Sequence, residues 1–122
     1  MNLVAIFIGG GLGSLCRYGL GKLITFYGAY SLPYATLLSN FISTAILAVF
    51  VYLVHDKMGL NDLWKFFVLT GFCGGFSTFS TFSFETFEML KNGQTAMAFA
   101  NVFVSVFLCL FVLYIIYKKS IL

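Results

Sequence analysis

The chain is short, apolar and weakly charged. Its 122 residues are 61% hydrophobic and only 9% charged, with a mean hydropathy of +0.99, and this composition excludes an ordinary soluble domain. A spanning helix needs about 20 mostly apolar residues, so the chain has room for about four spans and no soluble domain. Its cysteines number three and show no Cys-x-x-Cys spacing, which indicates neither a disulfide framework nor a zinc site.

Four apolar runs predict an all-α integral membrane protein, with residues 1–122 forming a single four-helix domain. The predicted spans cover about residues 3–26, 34–54, 64–89 and 96–117. Residues 28–33 form a connector after the first span, and a basic pair at residues 118–119 ends the last. Because the connections are short, consecutive spans should be antiparallel neighbours, with both termini on one side.

The basic residues are divided weakly between the two sides of the membrane. Four lysines fall on the side of the termini, and two lysines fall on the other, together with Arg17 if its side chain extends outward. So weak a bias permits insertion in both orientations, and hence an antiparallel, dual-topology homodimer. One fixed orientation with the termini inside is the alternative. The four lysines are Lys57, Lys65, Lys118 and Lys119, and the two are Lys22 and Lys91.

The third run contains a segment that lipid tolerates poorly. The adjacent glycines Gly74 and Gly75 at mid-membrane predict a break, so we expect the third helix to be broken near its centre. Backbone groups freed at this depth cost several kcal/mol each unless protein, water or an ion satisfies them. The freed carbonyls near Gly74 and Ser77 are therefore candidates for holding a cation.

A Ser-Thr-Phe unit repeats at three-residue spacing after the double glycine, over residues 77–83. On a helix this spacing places phenylalanines and hydroxyls in neighbouring slanted stripes. Hydroxyl protons and the positive edges of aromatic rings can line a path for a small anion. The alternative is helix packing, with the hydroxyls bonded back to the backbone.

Polar side chains also fall at helical spacing in the second and fourth spans. Asn40 shares a face with Ser43 and Thr44, and Asn101 precedes Ser105 by four residues. Asn40 either bonds to another helix or donates to a passing anion. We leave both roles open on this pattern alone.

Several further residues have two readings. Two Gly-x-x-x-Gly motifs, at residues 9–13 and 71–75, favour close helix contact within the chain or in a dimer. Arg17 has either a structural or an anion-attracting role. Glu85 either bonds to a neighbouring helix or influences the path, whereas Glu88 is expected at a solvated helix end.

Three motifs together resemble the Fluc family of fluoride channels, also called CrcB proteins, over essentially the whole chain. They are the glycine-rich first span with its arginine at residues 9–18, the sequence Thr-Leu-Leu-Ser-Asn at residues 36–40, and the glycine, hydroxyl and phenylalanine segment at residues 74–83, which is the most specific. Departures from the family pattern include Ala35 and Ser43, where glycine is often found, and Ser77, where threonine is common.

The resemblance implies a fluoride-selective channel in a microbial cell membrane, here a bacterial inner membrane, that exports fluoride passively and gives fluoride resistance. It implies an antiparallel homodimer with two pores and a central sodium ion at the breaks. Asn40, Phe79 and Phe82 match the fluoride pathway, with Ser80, Thr81 and Ser105 as its polar track. Gly74 and Ser77 match the carbonyl donors to sodium. The implied partners are fluoride, a second copy and the bilayer, and no nucleic acid.

Two other classes compete with a channel. A small four-span multidrug or cation transporter needs a membrane-embedded carboxylate, and the first span has none. An assembly subunit without transport leaves the hydroxyl and phenylalanine repeat unexplained. An enzyme is not expected, because one histidine and four carboxylates offer no convergent catalytic set.

Overall fold

The structure, a computed structural model, describes residues 1–28, 33–55 and 59–122, without the side chain of His55. Lys57 and most of the predicted first connector therefore lie outside the described residues. All regular secondary structure within these ranges is helical. Four helical spans are long and apolar enough to cross a membrane, which confirms the predicted class: Asn2–Phe26, Tyr34–Val54, Asp62–Lys91 and Thr95–Ser120.

The third span is divided into two helices, and we number five helices in chain order. Helix α1 is Asn2–Phe26, and α2 is Tyr34–Val49, continued by π-helical Phe50–His55. Helix α3 comprises α-helical Asp62–Lys65, π-helical Phe66–Cys73 and α-helical Gly74–Phe76. Helix α4 is Phe79–Lys91, and α5 is Thr95–Ser120.

In the described part of the chain most large apolar side chains lie outside and most buried residues are small, although Phe50, Phe76 and Met89 are also buried. Among the described residues, Ala48 and Ser39 are fully buried, whereas Phe7 is 82% exposed. A soluble protein would bury its phenylalanines, but lipid solvates them as well as a protein core does. Small buried residues allow the helix backbones to approach one another closely. This distribution supports a multi-pass membrane protein.

Helix α1 packs mainly on α3, through the two Gly-x-x-x-Gly motifs. Gly9 faces the backbone of Phe67 and Phe72, and Gly75 faces Gly10 so closely that a Cβ would collide with its carbonyl. The contacts advance in the same direction along both helices, so α1 and α3 are parallel. Of the two alternatives for these motifs, the structure shows the contact within the chain.

Helix α2 runs antiparallel to the third span and parallel to α5. Ser43 contacts Cys73, whereas Thr36, earlier in α2, contacts Glu85, later in the third span. The rings of Tyr52 and Tyr117 meet near the C-terminal ends of α2 and α5, with centroids 5.3 Å apart. The spans therefore alternate in direction, as the short connections predicted. Helix α4 packs on α5, whereas α3 packs mainly on α1, and α2 contacts both halves of the third span.

The break lies at Ser77 and Thr78, which have extended backbones with ψ angles of 159° and 118°. The expectation of a broken third helix is confirmed, but its placement at the double glycine was wrong. Gly74 and Gly75 remain helical. Gly75 contacts α1. Helix α3 ends after Phe76, where the Thr78 backbone N–H bonds to Asn40 Oδ1 and not to the Gly74 carbonyl.

Candidate functional site: a polar groove at the break

A groove of about 340 Å³ lies where α2, α4 and α5 meet the break. It contains four residues predicted for the anion path and one predicted near the cation. Its lining residues are Asn40, Thr44, Ser77, Thr78, Phe79, Phe82, Ser105, Val106, Cys109 and Leu110. Amide, hydroxyl and aromatic groups from three helices thus converge on one cleft.

Asn40 joins α2 to the break through both ends of its carboxamide. Its Oδ1 accepts from the Thr78 backbone N–H at 2.7 Å, and its Nδ2 donates to the Thr78 carbonyl at 3.2 Å. The carboxamide thereby satisfies the Thr78 N–H, which the break removes from helical pairing, and adds a bond to the Thr78 carbonyl. A primary amide has two N–H donors, so the second is still available to the groove. The bond between helices is therefore observed, and it is compatible with anion donation.

Thr78 caps α4 with its side chain. Its Oγ1 accepts from the Thr81 backbone N–H at 3.3 Å, donates to Thr81 Oγ1 at 3.0 Å and lies 3.3 Å from Ser80 Oγ. Thr78 itself is buried, with 8% of its surface exposed. Ser80 and Thr81 lie at exposed positions on α4 and are connected to the groove through Thr78.

The break diverts the N–H donors that a continuous helix would send to Gly74 and Ser77. In an α-helix, Thr78 N–H would bond to the Gly74 carbonyl and Thr81 N–H to the Ser77 carbonyl. These groups instead donate to Asn40 Oδ1 and Thr78 Oγ1. Both carbonyls predicted to hold sodium are thus released from these helical bonds. Among the described residues, no heavy atom lies within 4 Å of the Cβ position of Gly74 apart from its chain neighbours and its own helix backbone, so this side of α3 is open.

The two pathway phenylalanines lie one helical turn apart on α4. Their ring centroids are separated by 5.9 Å and their planes are tilted by 36°. Phe79 is 80% exposed and Phe82 is partly buried against the groove. One chain therefore leaves the Phe79 side of the groove uncovered.

Ser43 and Ser77 hold the last turn of α3 from two sides. The Ser43 hydroxyl donates to the Cys73 carbonyl at 2.9 Å, and the Ser77 hydroxyl donates to the same oxygen at 2.8 Å. Ser43 is fully buried at this contact. The departure from glycine at this position thus adds a bond between α2 and α3 beside the break.

Ser105 belongs to a hydrogen-bonded chain between α5 and α4. Its hydroxyl donates to Asn101 Oδ1 at 3.4 Å, Asn101 Nδ2 donates to Thr86 Oγ1 at 2.9 Å, and Thr86 donates to the Phe82 carbonyl at 2.7 Å. Asn101 and Ser105 are both buried. These three hydrogen bonds connect the polar face of α5 to the turn of α4 that carries Phe82.

Glu85 contacts a neighbouring helix, which is one of the two roles that the sequence left open for it. Thr36 Oγ1 donates to Glu85 Oε1 at 2.9 Å, and Oε2 is buried with no partner among the described residues. Glu88 instead pairs with Lys91 at 3.2 Å at an exposed helix end. Arg17 lies one turn beyond Gly13 on α1, is partly exposed and is not among the residues that line the groove.

Thr78 is the site residue that sequence reasoning passed over. It stood among the five hydroxyl residues of the repeat without a separate role. A capping signal was available, because threonine is favoured at the residue preceding a helix, and Thr78 opens a run of helix-compatible residues. Serine is also favoured at the residue preceding a helix, so the pattern did not indicate which of Ser77, Thr78 and Ser80 would be the cap.

Comparison with known proteins places the chain in a family. It matches the family profile described as "CrcB-like protein, Camphor Resistance (CrcB)" over residues 4–117. A relative from Pyrococcus horikoshii is 36% identical over 113 residues, which cover 93% of this chain and 90% of the relative. One from Leptospira interrogans is 43% identical over 106 residues, covering 86% and 83%, and one from Geobacter sp. is 41% identical over 109 residues, covering 89% and 88%.

All three relatives bear the name fluoride-specific ion channel FluC. That name denotes a channel, which confirms the prediction that the chain is not an enzyme. The match extends over nearly all of the four spans and includes the broken third span and its groove. The resemblance drawn from the three motifs is thereby confirmed, and the chain belongs to the CrcB family.

Proposed function

We propose that this protein is a fluoride-selective channel that exports cytoplasmic fluoride passively across a bacterial inner membrane and so gives fluoride resistance. The observation that carries the proposal is the groove at the break, where Asn40, Ser105, Phe79 and Phe82 converge. The names of the relatives support fluoride as the ion. Under acidic conditions HF enters a cell and ionises there, so a passive path for the anion suffices to release it.

The chemistry of the groove suits fluoride. Fluoride holds its water tightly, and a pore must replace that water with donors that are numerous but individually weak enough to release the ion. The amide proton of Asn40 that is not bonded to Thr78 is such a donor, and the ring edges of Phe79 and Phe82 add weaker ones. We assign Asn40, Phe79, Phe82 and Ser105 to the path, with Ser80 and Thr81 extending its polar track along α4.

A second copy would complete this path. Phe79, Ser80 and Thr81 are exposed in one chain, and a polar track open to lipid would be costly. We propose an antiparallel, dual-topology homodimer with two pores, each closed by residues of both protomers. The weak charge bias of the spans supports insertion in both orientations. Arg17 is assigned a structural or anion-attracting role in this assembly.

We also propose a sodium ion at the centre of the dimer. Carbonyl oxygens suit a small hard cation, and the helical donors to the Gly74 and Ser77 carbonyls are diverted elsewhere. The described residues contain no cluster of three or more His, Cys, Asp or Glu side chains, so carbonyls are the natural donors. Antiparallel copies would bring two such sets together.

The rival is a small four-span multidrug or cation transporter. Proton-coupled export of this kind needs a carboxylate within the membrane, and α1 has none over Asn2–Phe26. Glu85 is bonded to Thr36 through one carboxylate oxygen and is not among the residues that line the groove. The groove offers donors for an anion rather than a carboxylate for a cation.

The test is anion efflux from liposomes that contain the purified protein. The liposomes are loaded with potassium fluoride, valinomycin is added to balance charge, and a fluoride electrode follows release. Liposomes loaded with potassium chloride and read with a chloride electrode give the selectivity. Rapid fluoride release with little chloride release supports the proposal. Absence of fluoride release from correctly folded protein refutes it, and proton-coupled cation transport is then the activity to assay.

A further inference from the structure

The hydroxyls around Thr78 form a chain whose direction follows from counting protons. A threonine hydroxyl has one proton to donate and two lone pairs that accept. Thr78 donates its proton to Thr81 Oγ1 at 3.0 Å. Its 3.3 Å contact with Ser80 Oγ must therefore be a bond that Ser80 donates.

By the same count, the Ser80 proton is used in a hydrogen bond to Thr78, whereas the Thr81 proton is not used in its bond with Thr78. The Ser80 proton is directed inward, to Thr78. Thr81 Oγ1 is an acceptor in its bond from Thr78, so its own proton is not used there. Thr81 is exposed on α4, on a helix whose first turn lines the groove. The proton available to an anion is consequently that of Thr81.

Three other hydrogen bonds fix this arrangement. The Thr81 backbone N–H donates to Thr78 Oγ1 at 3.3 Å, which orients the hydroxyl lone pairs. The Thr78 backbone is held at both its N–H and its carbonyl by Asn40. Hydroxyls that donate in sequence polarise one another, so the last proton of such a chain is a better donor than an isolated hydroxyl.

We propose that Thr78 is a positioning residue for anion conduction, which joins Ser80 and Thr81 in a directed chain of hydroxyls and presents the Thr81 proton to the permeating anion. The inference rests on the proposed fluoride channel and deepens it. Thr78 acts through Thr81 and does not itself contact the ion. The proposal separates two residues of the polar track: Thr81 donates directly, and Ser80 strengthens that donation.

The experiment measures fluoride efflux from liposomes for the full-length protein and its variants. Thr78→Val keeps the shape of the side chain but removes the hydroxyl, and we expect efflux to fall about tenfold, because the Thr81 hydroxyl loses the bond that positions and polarises it. Thr78→Ser restores the hydroxyl and should restore the rate. Ser39→Ala is the matched control, because Ser39 is buried and its hydroxyl, within the described part of the chain, bonds to the Thr36 carbonyl of its own helix.

A double substitution distinguishes positioning from simple support of the fold. If Ser80 acts through Thr78, the variant with both Ser80→Ala and Thr78→Val should be no slower than Thr78→Val alone. Fully additive losses would overturn the proposal, as would an unchanged rate in Thr78→Val while the unsubstituted protein conducts. Absence of conduction in the unsubstituted protein would instead refute the proposed function.

A second comparison applies if Thr78→Val does not yield folded protein. Thr81→Val and Ser80→Ala each remove one exposed hydroxyl and leave Thr78 in place. The proposal requires a much larger loss of efflux in Thr81→Val. An equal loss, or a larger loss in Ser80→Ala, would show that the direction of the chain is wrong.

Discussion

Gly13 on α1 lies directly against the backbone carbonyl of Phe72 on α3, and a Cβ on Gly13 would collide with that oxygen. The same Cβ would lie 2.7 Å from the Phe76 backbone nitrogen. Both obstacles are main-chain atoms of a helix, so no flexible side chain can yield. The contact is thus a fixed point in the packing of α1 on the third span.

Gly13→Ala should therefore destabilise the protein by about 1–3 kcal/mol or more, as overpacking of a close contact does. Gly11→Ala is the matched control, since no described residue outside the same stretch of helix lies within 4 Å of the Cβ position of Gly11. Thermal unfolding in detergent and recovery by size-exclusion chromatography measure the difference. Equal melting of the two variants would contradict the packing described here.

Phe79→Ile should reduce fluoride efflux about tenfold, because an aliphatic side chain has no positive ring edge to present to an anion. Phe84→Ile serves as the control: Phe84 lies on the same helix and is 64% exposed, but it does not line the groove. Efflux of fluoride from liposomes compares the two. A similar rate in both variants would remove Phe79 from the path.

Asn40→Leu should lower both stability and efflux, because it leaves the Thr78 N–H and carbonyl without the partners they have in the structure. An unsatisfied buried polar group costs about 1–3 kcal/mol. Thr25→Val removes a hydroxyl that bonds only to Gly21 in its own helix, at an exposed position, and should be neutral. Thermal unfolding and efflux are measured together, and an Asn40→Leu variant with normal values of both would disprove the coupling.

Sodium should raise the melting temperature of the protein if the Gly74 and Ser77 carbonyls hold the ion, because a ligand that binds only the folded state stabilises it. The comparison is between sodium chloride and N-methyl-glucamine chloride at equal ionic strength. Ser77→Ala should retain the effect, since the proposed donor is the backbone carbonyl. Identical melting in the two salts would argue against a sodium site.

Insertion in both orientations predicts that a residue in the turn between α4 and α5 is reached from either side of the membrane. Asn92 is exposed in that turn, so Asn92→Cys can be placed in a variant whose native cysteines are alanine. An impermeant maleimide applied to intact cells should label about half of the chains, by the symmetry of an antiparallel dimer. Complete labelling or complete protection would establish one fixed orientation.

The number of spans was predictable from the sequence, because hydropathy acts locally. The break was inferred from Gly74 and Gly75, but both remain helical, so neither its cause nor its exact position was predictable. Gly75 is required where α3 approaches Gly10, a contact between distant parts of the chain, and that contact keeps the glycines helical. Helix α3 ends instead where Asn40, 38 residues before Thr78, takes the Thr78 N–H.

The polar face of α2 was visible as a pattern, but its partners were not. Helical spacing aligned Asn40 with Ser43, yet it gave no means of knowing that one would bond to Thr78 and the other to Cys73. The role of Thr78 depended on the same missing information, because a cap is recognised only once the helix start is known. Helical spacing thus showed which side chains share a face, whereas the packing of distant parts of the chain determines which residue each of them bonds to.

Because most of the buried residues described are small and most large apolar residues are exposed, tolerance to substitution should follow the opposite pattern to that of a soluble protein. At Phe7 or Phe103, whose side chains are largely exposed, many apolar residues should be interchangeable, since any of them dissolves in lipid chains. At Ala48 or Ala98, which are almost completely buried, the addition of a few carbon atoms should already be damaging. A saturation scan of this protein should therefore find its least replaceable positions among its smallest side chains.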